Sequence, residues 1–304
     1  MISASRKGLP VDPPPPTRRT SALSDLREIT RDTWRFRELM GQLTKRDIKI
    51  RYKQAVMGFG WALFMPILIV LAGLIIRLAL ANAGAGTVNR EAIGGLAIKG
   101  ICWSFFVGTV GFATGSLTSN ISLVTKIYFP REVLPFSALG AQAFDSTIAG
   151  LALSIALPFL GLKLSVGLLW APVLLLLILA LTAGASLFLS CANLFFRDVK
   201  YIVQVLLTFG IFFTPVLFDA SVLGPTGASL VMLNPLAPIL EGLRHAVIGG
   251  QSLLTPIIEM TTNGIPVVVW HPWYLLYSTF WALGGLVLSA VLFHRAEFAF
   301  AEYV

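Results

Sequence analysis

The chain has 304 residues, of which 56% are hydrophobic and 12% are charged, and its mean hydropathy is +0.80. An ordinary soluble domain carries about 25% charged residues, so this composition excludes a soluble protein and indicates a membrane protein. The net charge of +8 does not indicate a nucleic-acid partner, because the basic residues crowd before the first apolar run, where anionic cytoplasmic lipid attracts them.

The chain before the first apolar run divides into two predicted segments. Residues 1–22 contain the run Pro13–Pro16 and too little apolar surface to offset the entropy of ordering, which predicts a disordered tail. The tail lacks the compact apolar core of a secretory signal, so we expect a cytoplasmic N-terminus. Residues 23–58 hold an amphipathic helix at about 24–40 and then the basic group Lys45–Gln54. The helix either lies in the lipid headgroup plane or docks on a soluble partner.

Six later windows are apolar and long enough to cross about 30 Å of hydrocarbon as helices. An even number places both termini on one side. Assigning the loops 121–135 and 194–200 to the cytoplasm puts most Lys and Arg residues there, so the positive-inside rule predicts cytoplasmic N- and C-termini. Residues 59–304 are therefore predicted as one all-α domain of six transmembrane helices. The six windows are 59–81, 96–120, 136–160, 170–193, 199–219 and 272–294.

The segment 220–271, before the last predicted span, does not have the composition of a solvated loop. Apolar residues recur at helical spacing from Leu236 to Ile248, between Pro235 and a Gly-Gly pair. This pattern predicts an external re-entrant helical hairpin packed against protein. A small cap lying on the outer lipid surface is the alternative.

The loop 121–135 combines charges, prolines and aromatic rings between two apolar spans, a composition that a lipid-facing span does not tolerate. It is either an ordinary turn or a rigid elbow that carries force from a soluble partner. The candidate contact residues of the elbow are Lys126, Tyr128, Phe129, Pro130, Arg131 and Glu132.

Motifs for catalysis are absent from the sequence. It contains no phosphate-binding loop, no zinc-binding His-Glu-x-x-His helix and no Gly-x-Ser-x-Gly nucleophile elbow. Cys102 and Cys191 lie singly in apolar segments and are predicted to be packing residues. The three histidines, His245, His271 and His294, lie near predicted membrane boundaries and are expected to be interfacial. We therefore predict no metal and no catalytic residue.

A few side chains in the spans are candidates for lining a conduit. Asp145 is an intramembrane carboxylate, which either forms a structural hydrogen bond or faces an aqueous path. Arg77 either snorkels to the outer interface or contacts an anionic substrate. Aromatic rings, which stack on the C–H faces of sugars, are either packing residues or part of such a path. The aromatic candidates are Trp61, Phe64, Trp103, Phe105, Phe106, Phe209, Phe212, Phe213 and Phe218.

Several motifs fall in a fixed order between residues 34 and 304. The run Arg46–Gln54, followed by Gly60–Ala62 and Pro66, opens the set. It continues with Trp103–Phe106, Tyr128–Pro135, Asn193–Val199, Thr214–Val216, Asn234–Ala237 and Phe293–Glu302. In these motifs the chain resembles permease subunits of ABC-type polysaccharide exporters, which handle O-antigen, teichoic acid and related lipid-linked glycans.

The resemblance implies a six-span permease in the plasma (inner) membrane that forms a homodimer around a conduit. Two copies of a separate ATPase subunit bind ATP and Mg, and this chain carries no cofactor. The elbow then seats in the ATPase, and a basic group meets the pyrophosphate-linked lipid head at the substrate entrance. We further expect the segment 236–250 to gate the outer mouth, where Glu241 and Arg244, three apart, can form an exposed pair on one helical face. The entrance residues are Arg46, Lys49, Arg51, Tyr52 and Lys53.

Two alternatives remain at this level. A small-lipid or drug exporter uses the same architecture, because the spans do not specify the substrate. A membrane-embedded glycosyl- or acyltransferase needs clustered carboxylates or a histidine constellation at a membrane edge, and its nearest candidate is Asp198 beside Arg197.

Overall fold

The protein is described by a computed structural model that covers residues 22–53, 55, 57–82, 88–126, 129–160, 165–260, 264–297 and 300. The predicted tail therefore lies outside the described residues, apart from Ala22. Wherever an absence is stated below, it refers to these ranges.

Helices make up most of the described chain, because a backbone in hydrocarbon satisfies its polar groups most directly within a helix. Thr and Ser side chains inside the long helices donate back to the carbonyl four residues earlier, as Thr109 does to Phe105 at 2.7 Å. The α-helices are α1 (Ala22–Arg35), α2 (Arg37–Tyr52), α3 (Gly60–Asn82), α4 (Arg90–Thr114), α5 (Ser116–Ser119), α6 (Ile121–Lys126), α7 (Val133–Ala156), α8 (Trp170–Phe195), α9 (Val199–Gly210), α10 (Gly224–Val231), α11 (Leu236–Val247), α12 (Pro272–Thr279) and α13 (Gly285–Ala296). Short 3₁₀ turns occupy Leu157–Leu160, Val166–Leu169 and Ala220–Leu223, and a π-helical turn at Phe280–Gly284 joins α12 to α13.

Five helical segments of the described chain are long and apolar enough to cross a membrane. They confirm a multi-pass helical membrane protein. The segments are Gly60–Asn82, Arg90–Thr114, Val133–Phe159, Val166–Phe195 and Pro272–Ala296. The predicted span at 199–219 is not one such helix. Its helix α9 has 12 residues and covers about 18 Å at 1.5 Å per residue, short of the roughly 30 Å of hydrocarbon.

The segment 199–219 nevertheless runs alongside α4. It begins where the Lys200 backbone N–H donates to Asn193, near the end of α8. Midway, Gly210 lies so close to Trp103 that a Cβ there would be 3.0 Å from the ring. The segment ends at Asp219, whose carboxylate pairs with Lys99 near the start of α4. A short helix followed by turns thus connects the two ends of the bundle.

The predicted helix at 24–40 is two helices in the structure, because the chain bends at Phe36 between α1 and α2. Helix α1 docks on the end of α13, where Arg295 donates to Asp25 at 2.9 Å. Helix α2 packs along α7, and the Thr44 hydroxyl donates to the Ser137 carbonyl at 3.4 Å. The amphipathic region is therefore attached to the bundle at two places.

The segment 220–271 differs from the predicted helical hairpin. Its first arm, α11, is buried against α4 and α8. The chain then forms an antiparallel β-hairpin of β1 (Ile257–Met260) and β2 (Pro266–Trp270), so the described chain is not entirely α-helical. In β2 the buried residues Val267 and Val269 alternate with exposed ones. This period of two is typical of a strand and not of a helix.

The apolar core forms two clusters at opposite ends of the bundle. One surrounds α11 and includes Trp270, and the other joins the elbow to the last helix and includes Leu134 and Phe293. We call these the gate end and the elbow end.

Candidate functional site

A groove with a volume of about 520 Å³ lies between the end of α2 and the helices α3, α4 and α7. One end is polar, and the remaining wall is mostly apolar. The apolar wall includes Trp61, Met65, Pro66, Ile69, Trp103, Val107 and Phe112. The polar end includes Arg51, Tyr52, Gln142 and Asp145.

The polar end of the groove is organised around Asp145 on α7. One carboxylate oxygen accepts from the Arg51 guanidinium at 2.6 Å, and the other accepts from the Tyr52 hydroxyl at 2.6 Å. Arg51 also donates to Gln142 at 3.0 Å and lies 4.0 Å from the Phe112 ring centroid. Burial, and then the bond to Asp145, raise the pKa of Tyr52 above its usual range. Asp145 therefore both ties α2 to α7 and lines the groove, so the two readings of this residue are compatible.

This arrangement brings together two of the five predicted entrance residues, Arg51 and Tyr52. Arg46 instead pairs with its neighbour Asp47 at 2.9 Å. Lys49 and Lys53 are exposed and lie outside the groove lining. The sequence located the basic segment, but the single inward-facing arginine was not distinguishable from its neighbours without the position of α7.

The candidate conduit aromatics occupy different places. Trp61 and Trp103 line the groove, and Phe64 packs edge-on against Trp61 with ring centroids 5.2 Å apart. Phe106 and Phe213 share a second, apolar cavity of about 320 Å³ with Trp103 on its other side. The remaining aromatic candidates in or after α9, Phe209, Phe212 and Phe218, do not line the groove, and the first two are exposed.

The elbow is held against the last helix. Phe129 and Glu132 are buried, and Glu132 lies 3.3 Å from Nδ1 of His294. The Arg131 backbone N–H donates to the Glu297 carboxylate at 3.2 Å, and the Arg131 guanidinium donates to the Glu297 carbonyl. Pro130 is half-buried between them. The Lys126 side chain and Tyr128 lie outside the described residues.

One group in the described chain has the spacing of metal ligands. Its members are Glu132, His294 and Glu297, whose potential ligand atoms lie within 4.8 Å of one another. Burial and the charge of Glu132 raise the pKa of Glu297 to about 7. The contacts of these residues to Arg131 and α1 already give them a structural role, and the expectation of no metal stays a prediction.

A network of ion pairs occupies the gate end. The predicted pair of Glu241 and Arg244 forms, with 2.7 Å between Oε2 and Nε, but Glu241 is buried and not surface-exposed as expected for an i,i+3 pair. Arg77 does not snorkel, because it is buried and pairs with Asp219 at 2.6 Å. Lys99, fully buried on α4, completes the network with ion pairs to Asp219 and Glu241.

Sequence reasoning missed Lys99, Asp219 and Glu259 as members of this network. Glu259 on β1 binds Arg244 at 2.8 Å, and Asp219 lies 3.6 Å from the same guanidinium. The signal that was available is the rarity of charge in apolar sequence, since Lys99 stands inside a predicted span.

Burial and neighbouring charges together set the charge states in the network. Burial raises the pKa of a carboxyl, but Arg244 and Lys99 outweigh it and hold the pKa of Glu241 below its usual range. Burial, and then Arg244, lower the pKa of His245 to about 4. His245 Nε2 therefore accepts from Arg244 at 2.9 Å, and Nδ1–H donates to Gln251 at 3.1 Å, as in a neutral ring.

A bundle of membrane-spanning helices with an elbow at one end, and with a groove between helices that has one polar end and an apolar wall, is typical of a membrane transport protein. Residues 38–248 match the family model described as ABC-2 type transporter, which is more than half of the chain. The chain belongs to the ABC-2 type transporter family and is a transporter permease, as the motifs predicted.

The relatives are similarly informative. The O-antigen export system permease protein RfbA of Klebsiella pneumoniae is 25% identical over 270 residues, which cover 87% of this chain and 94% of the relative. The protein of the same name from Myxococcus xanthus is 28% identical over 219 residues, which cover 70% and 81%. A second Klebsiella pneumoniae protein of that name is 24% identical over 269 residues, covering 87% and 94%.

Proposed function

We propose that this chain is the permease subunit of an ATP-driven exporter that moves a polyprenyl-linked polysaccharide, of the O-antigen kind, across the plasma membrane. The observation that carries the proposal is the groove between α2, α3, α4 and α7, which has one polar end that holds Arg51 and an otherwise apolar wall. A lipid-linked glycan has the matching chemistry, with an anionic head and a long hydrocarbon chain. The names of the relatives, O-antigen export system permease proteins, support the same substrate class.

The polar end of the groove supplies the chemistry for recognising a pyrophosphate. A guanidinium has five N–H donors in a fixed fork. In the groove without substrate, Arg51 donates hydrogen bonds to Asp145 and Gln142. An entering phosphate competes with Asp145 for this fork, since charge-assisted bonds of Arg to either anion are similarly strong. Tyr52 keeps Asp145 hydrogen-bonded while its arginine contact exchanges.

The force is applied at the elbow end. Closure of two ATPase subunits, which bind ATP and Mg, pushes the elbow residues Lys126–Glu132 and the last helix to which they are attached. Two permease copies then part along a shared conduit, and the glycan passes. Helix α11, with Glu241 and Arg244, gates the far mouth.

Six crossings and cytoplasmic termini complete the proposal. Five long helices alone would place the termini on opposite sides. The course of 199–219 along α4, from Asn193 to Lys99, supports a sixth crossing made of α9 and the turns after it. Contact of the basic α2 with anionic cytoplasmic lipid agrees with that orientation.

The test is reconstitution. This chain is co-purified with its candidate ATPase in lipid nanodiscs, and ATP hydrolysis is measured with and without polyprenyl-pyrophosphate-linked glycan. Stable co-assembly and substrate-stimulated turnover are expected. Association with no ATPase, or stimulation by small lipids or drugs but not by the glycan, contradicts the proposal.

A variant of the groove makes the test specific. Arg51→Gln with Asp145→Asn removes the pair together, so that neither charge is left buried alone. We expect glycan stimulation to fall about tenfold or more, because a charge-assisted bond to the head is lost. Arg46→Gln with Asp47→Asn is the matched control, since this pair lies on the same helix outside the groove lining. Equal stimulation in the two double variants would remove the groove from the mechanism.

A further inference from the structure

A second polar cavity, of about 580 Å³, lies at the gate end. Its wall comes from the ends of α3 and α11, the start of α4, the turn before α10 and strand β1. It is separate from the groove that carries the proposed function, and it opens at the opposite end of α4 from the elbow. Its polar lining includes Arg77, Asn89, Asp219, Arg244, Gln251 and Glu259.

The buried charges around this cavity balance, and the exposed Glu91, which also lines it, adds one negative charge. Three cations, Arg77, Lys99 and Arg244, pair with three carboxylates within 3.2 Å, and the neighbouring imidazole is neutral. Lys99 and Glu241 are fully buried, so a charged ligand that displaced one partner would leave a charge unpaired away from water, which is costly. The cavity therefore favours an uncharged ligand.

The paired charges still offer hydrogen bonds to a ligand. Arg244, Asp219 and Glu259 are 15%, 16% and 29% exposed and line the cavity. The buried Nε of Arg77 has no hydrogen-bond partner among the described residues, and a buried donor of this kind is rarely left unsatisfied. Hydroxyl groups both donate and accept, so a polyol bonds to arginine and carboxylate side by side.

The rest of the wall suits the apolar side of a sugar ring. Phe218, Val222 and Met260 line the cavity between the charged groups. The volume lies within the range of about 300–1,000 Å³ that is usual for small-molecule sites. Alternating apolar and hydrogen-bonding surface matches the C–H faces and hydroxyl edges of a short stretch of saccharide.

We propose that the gate-end cavity is a saccharide-binding site that holds an uncharged sugar unit of the glycan as it leaves the permease. The inference rests on the proposed function, because it takes the elbow to be the ATPase side and the cavity to be the far side. Such a site would hold the exported end of the glycan between successive cycles of ATP hydrolysis and oppose its return through the permease.

The test uses the full chain in nanodiscs and, as probe, the lipid-free polysaccharide released by mild acid from the producing cell. Binding is followed by saturation-transfer difference NMR, with inorganic phosphate as the competitor. We expect transfer to sugar protons that phosphate does not displace. No transfer, or displacement by phosphate, overturns the site.

Two variants connect the signal to the cavity. Val222→Trp fills it with a large side chain, and the matched control Val268→Trp alters a valine of similar exposure on β2 that does not line it. We expect saccharide binding to weaken about tenfold in the first variant only, because the Trp side chain takes up volume that the sugar would occupy. Equal binding in both overturns the proposal. Intact co-assembly and glycan-stimulated ATP hydrolysis alongside absent saccharide binding would reject this site and leave the proposed function standing.

Discussion

Lys99 shows what a single charge in an apolar helix demands of its surroundings. Its ammonium group is fully buried and donates to the Phe218 carbonyl at 2.9 Å, with Asp219 at 3.1 Å and Glu241 at 3.2 Å. These contacts come from two different segments, so the side chain fastens the turn before α10 and helix α11 to α4. The pairs are worth more as constraints on geometry than as net stabilisation, because desolvation offsets much of their attraction.

Replacing Lys99 should therefore be damaging in a way that a second substitution repairs. Lys99→Met leaves two buried carboxylates with one cation fewer, and breaking a buried pair costs about 3–5 kcal/mol. We expect a lower thermal unfolding midpoint in nanodiscs. Adding Glu241→Gln should restore part of the loss, because the charges balance again. Lys53→Met, at an exposed lysine, is the control, and an equal midpoint for both single variants would show that the network is not a constraint.

Glu297 gives a pH-dependent prediction. Burial and the charge of Glu132 raise its pKa from 4.5 to about 7, against Arg131, which lowers it. Between these values the folded protein binds a proton that the unfolded chain does not, so stability falls as pH rises from about 4.5 to about 7. Glu297→Gln should remove this slope and stabilise the protein by about 1–2 kcal/mol at pH 8, after allowance for partial exposure.

The measurement is the unfolding midpoint of both proteins at about pH 5 and pH 8. Gln keeps an acceptor for the Arg131 backbone N–H, so the contact itself survives. A wild-type midpoint that rises with pH in this window, or an identical slope in the variant, contradicts the assignment.

At the residue scale, the sequence predicted which residues are important better than it predicted which residues they contact. It singled out Asp145 and placed Arg51 among five entrance candidates, but their 2.6 Å contact joins positions 94 apart in the chain. It expected Glu241 and Arg244 to pair because i,i+3 spacing is local, and it missed Glu259 because that partner depends on the β-hairpin. Long-range pairs follow from packing, which one sequence does not reveal.

At the element scale, close helix packing depends on glycines whose environment is not visible in the sequence. A Cβ at Gly184 in α8 would lie 2.9 Å from the backbone nitrogen of Leu286, where α13 crosses. A Cβ at Gly150 in α7 would meet nothing within 4 Å. Both glycines lie in long apolar helices, and hydropathy alone does not separate them.

The two glycines should respond oppositely to the same substitution. Gly184→Ala forces α8 and α13 apart and is expected to cost about 1–3 kcal/mol, the usual range for overpacking. Gly150→Ala should be neutral or stabilise by up to about 1 kcal/mol through helix propensity. Thermal unfolding of the two variants in the same lipid checks this. Similar midpoints would mean that α8 and α13 do not pack as closely as described.

Elements with strong periodicity were predictable, and those fixed by tertiary contacts were not. The long apolar windows became helices because hydrocarbon leaves few alternatives. The helix in the window 199–219 ends at Gly210, where a Cβ would lie 3.0 Å from the Trp103 ring, and hydropathy does not reveal this contact. The interruption at Phe36 and the β-hairpin also lie in segments that pack on other helices, on α13 and beside α11.

At the scale of the whole molecule, the two ends of the bundle hold different groups of side chains. The elbow end collects α1, the elbow and the end of α13, and the gate end collects the ion-pair network and the polar cavity. Helix α4 runs between them and carries Lys99 and Trp103. The proposed function therefore places substrate entry, applied force and exit along one axis.

That axis predicts which side of the membrane each end faces. The turn at Arg197, between α8 and α9, belongs to the elbow end, where Phe195 packs on Phe300 with ring centroids 5.9 Å apart. Leu254, exposed after α11, belongs to the gate end. In a background with Cys102→Ala and Cys191→Ala, Leu254→Cys in right-side-out vesicles should react with a membrane-impermeant maleimide. Arg197→Cys should react only after detergent is added.

The two positions control for each other, since both are exposed and differ only in the end they occupy. The expected pattern places the elbow with the cytoplasmic ATPase and the cavity on the far side, as the Lys and Arg distribution requires. The reverse pattern would put the polar cavity on the ATPase side, and both the saccharide site and the direction of transport would fall with it.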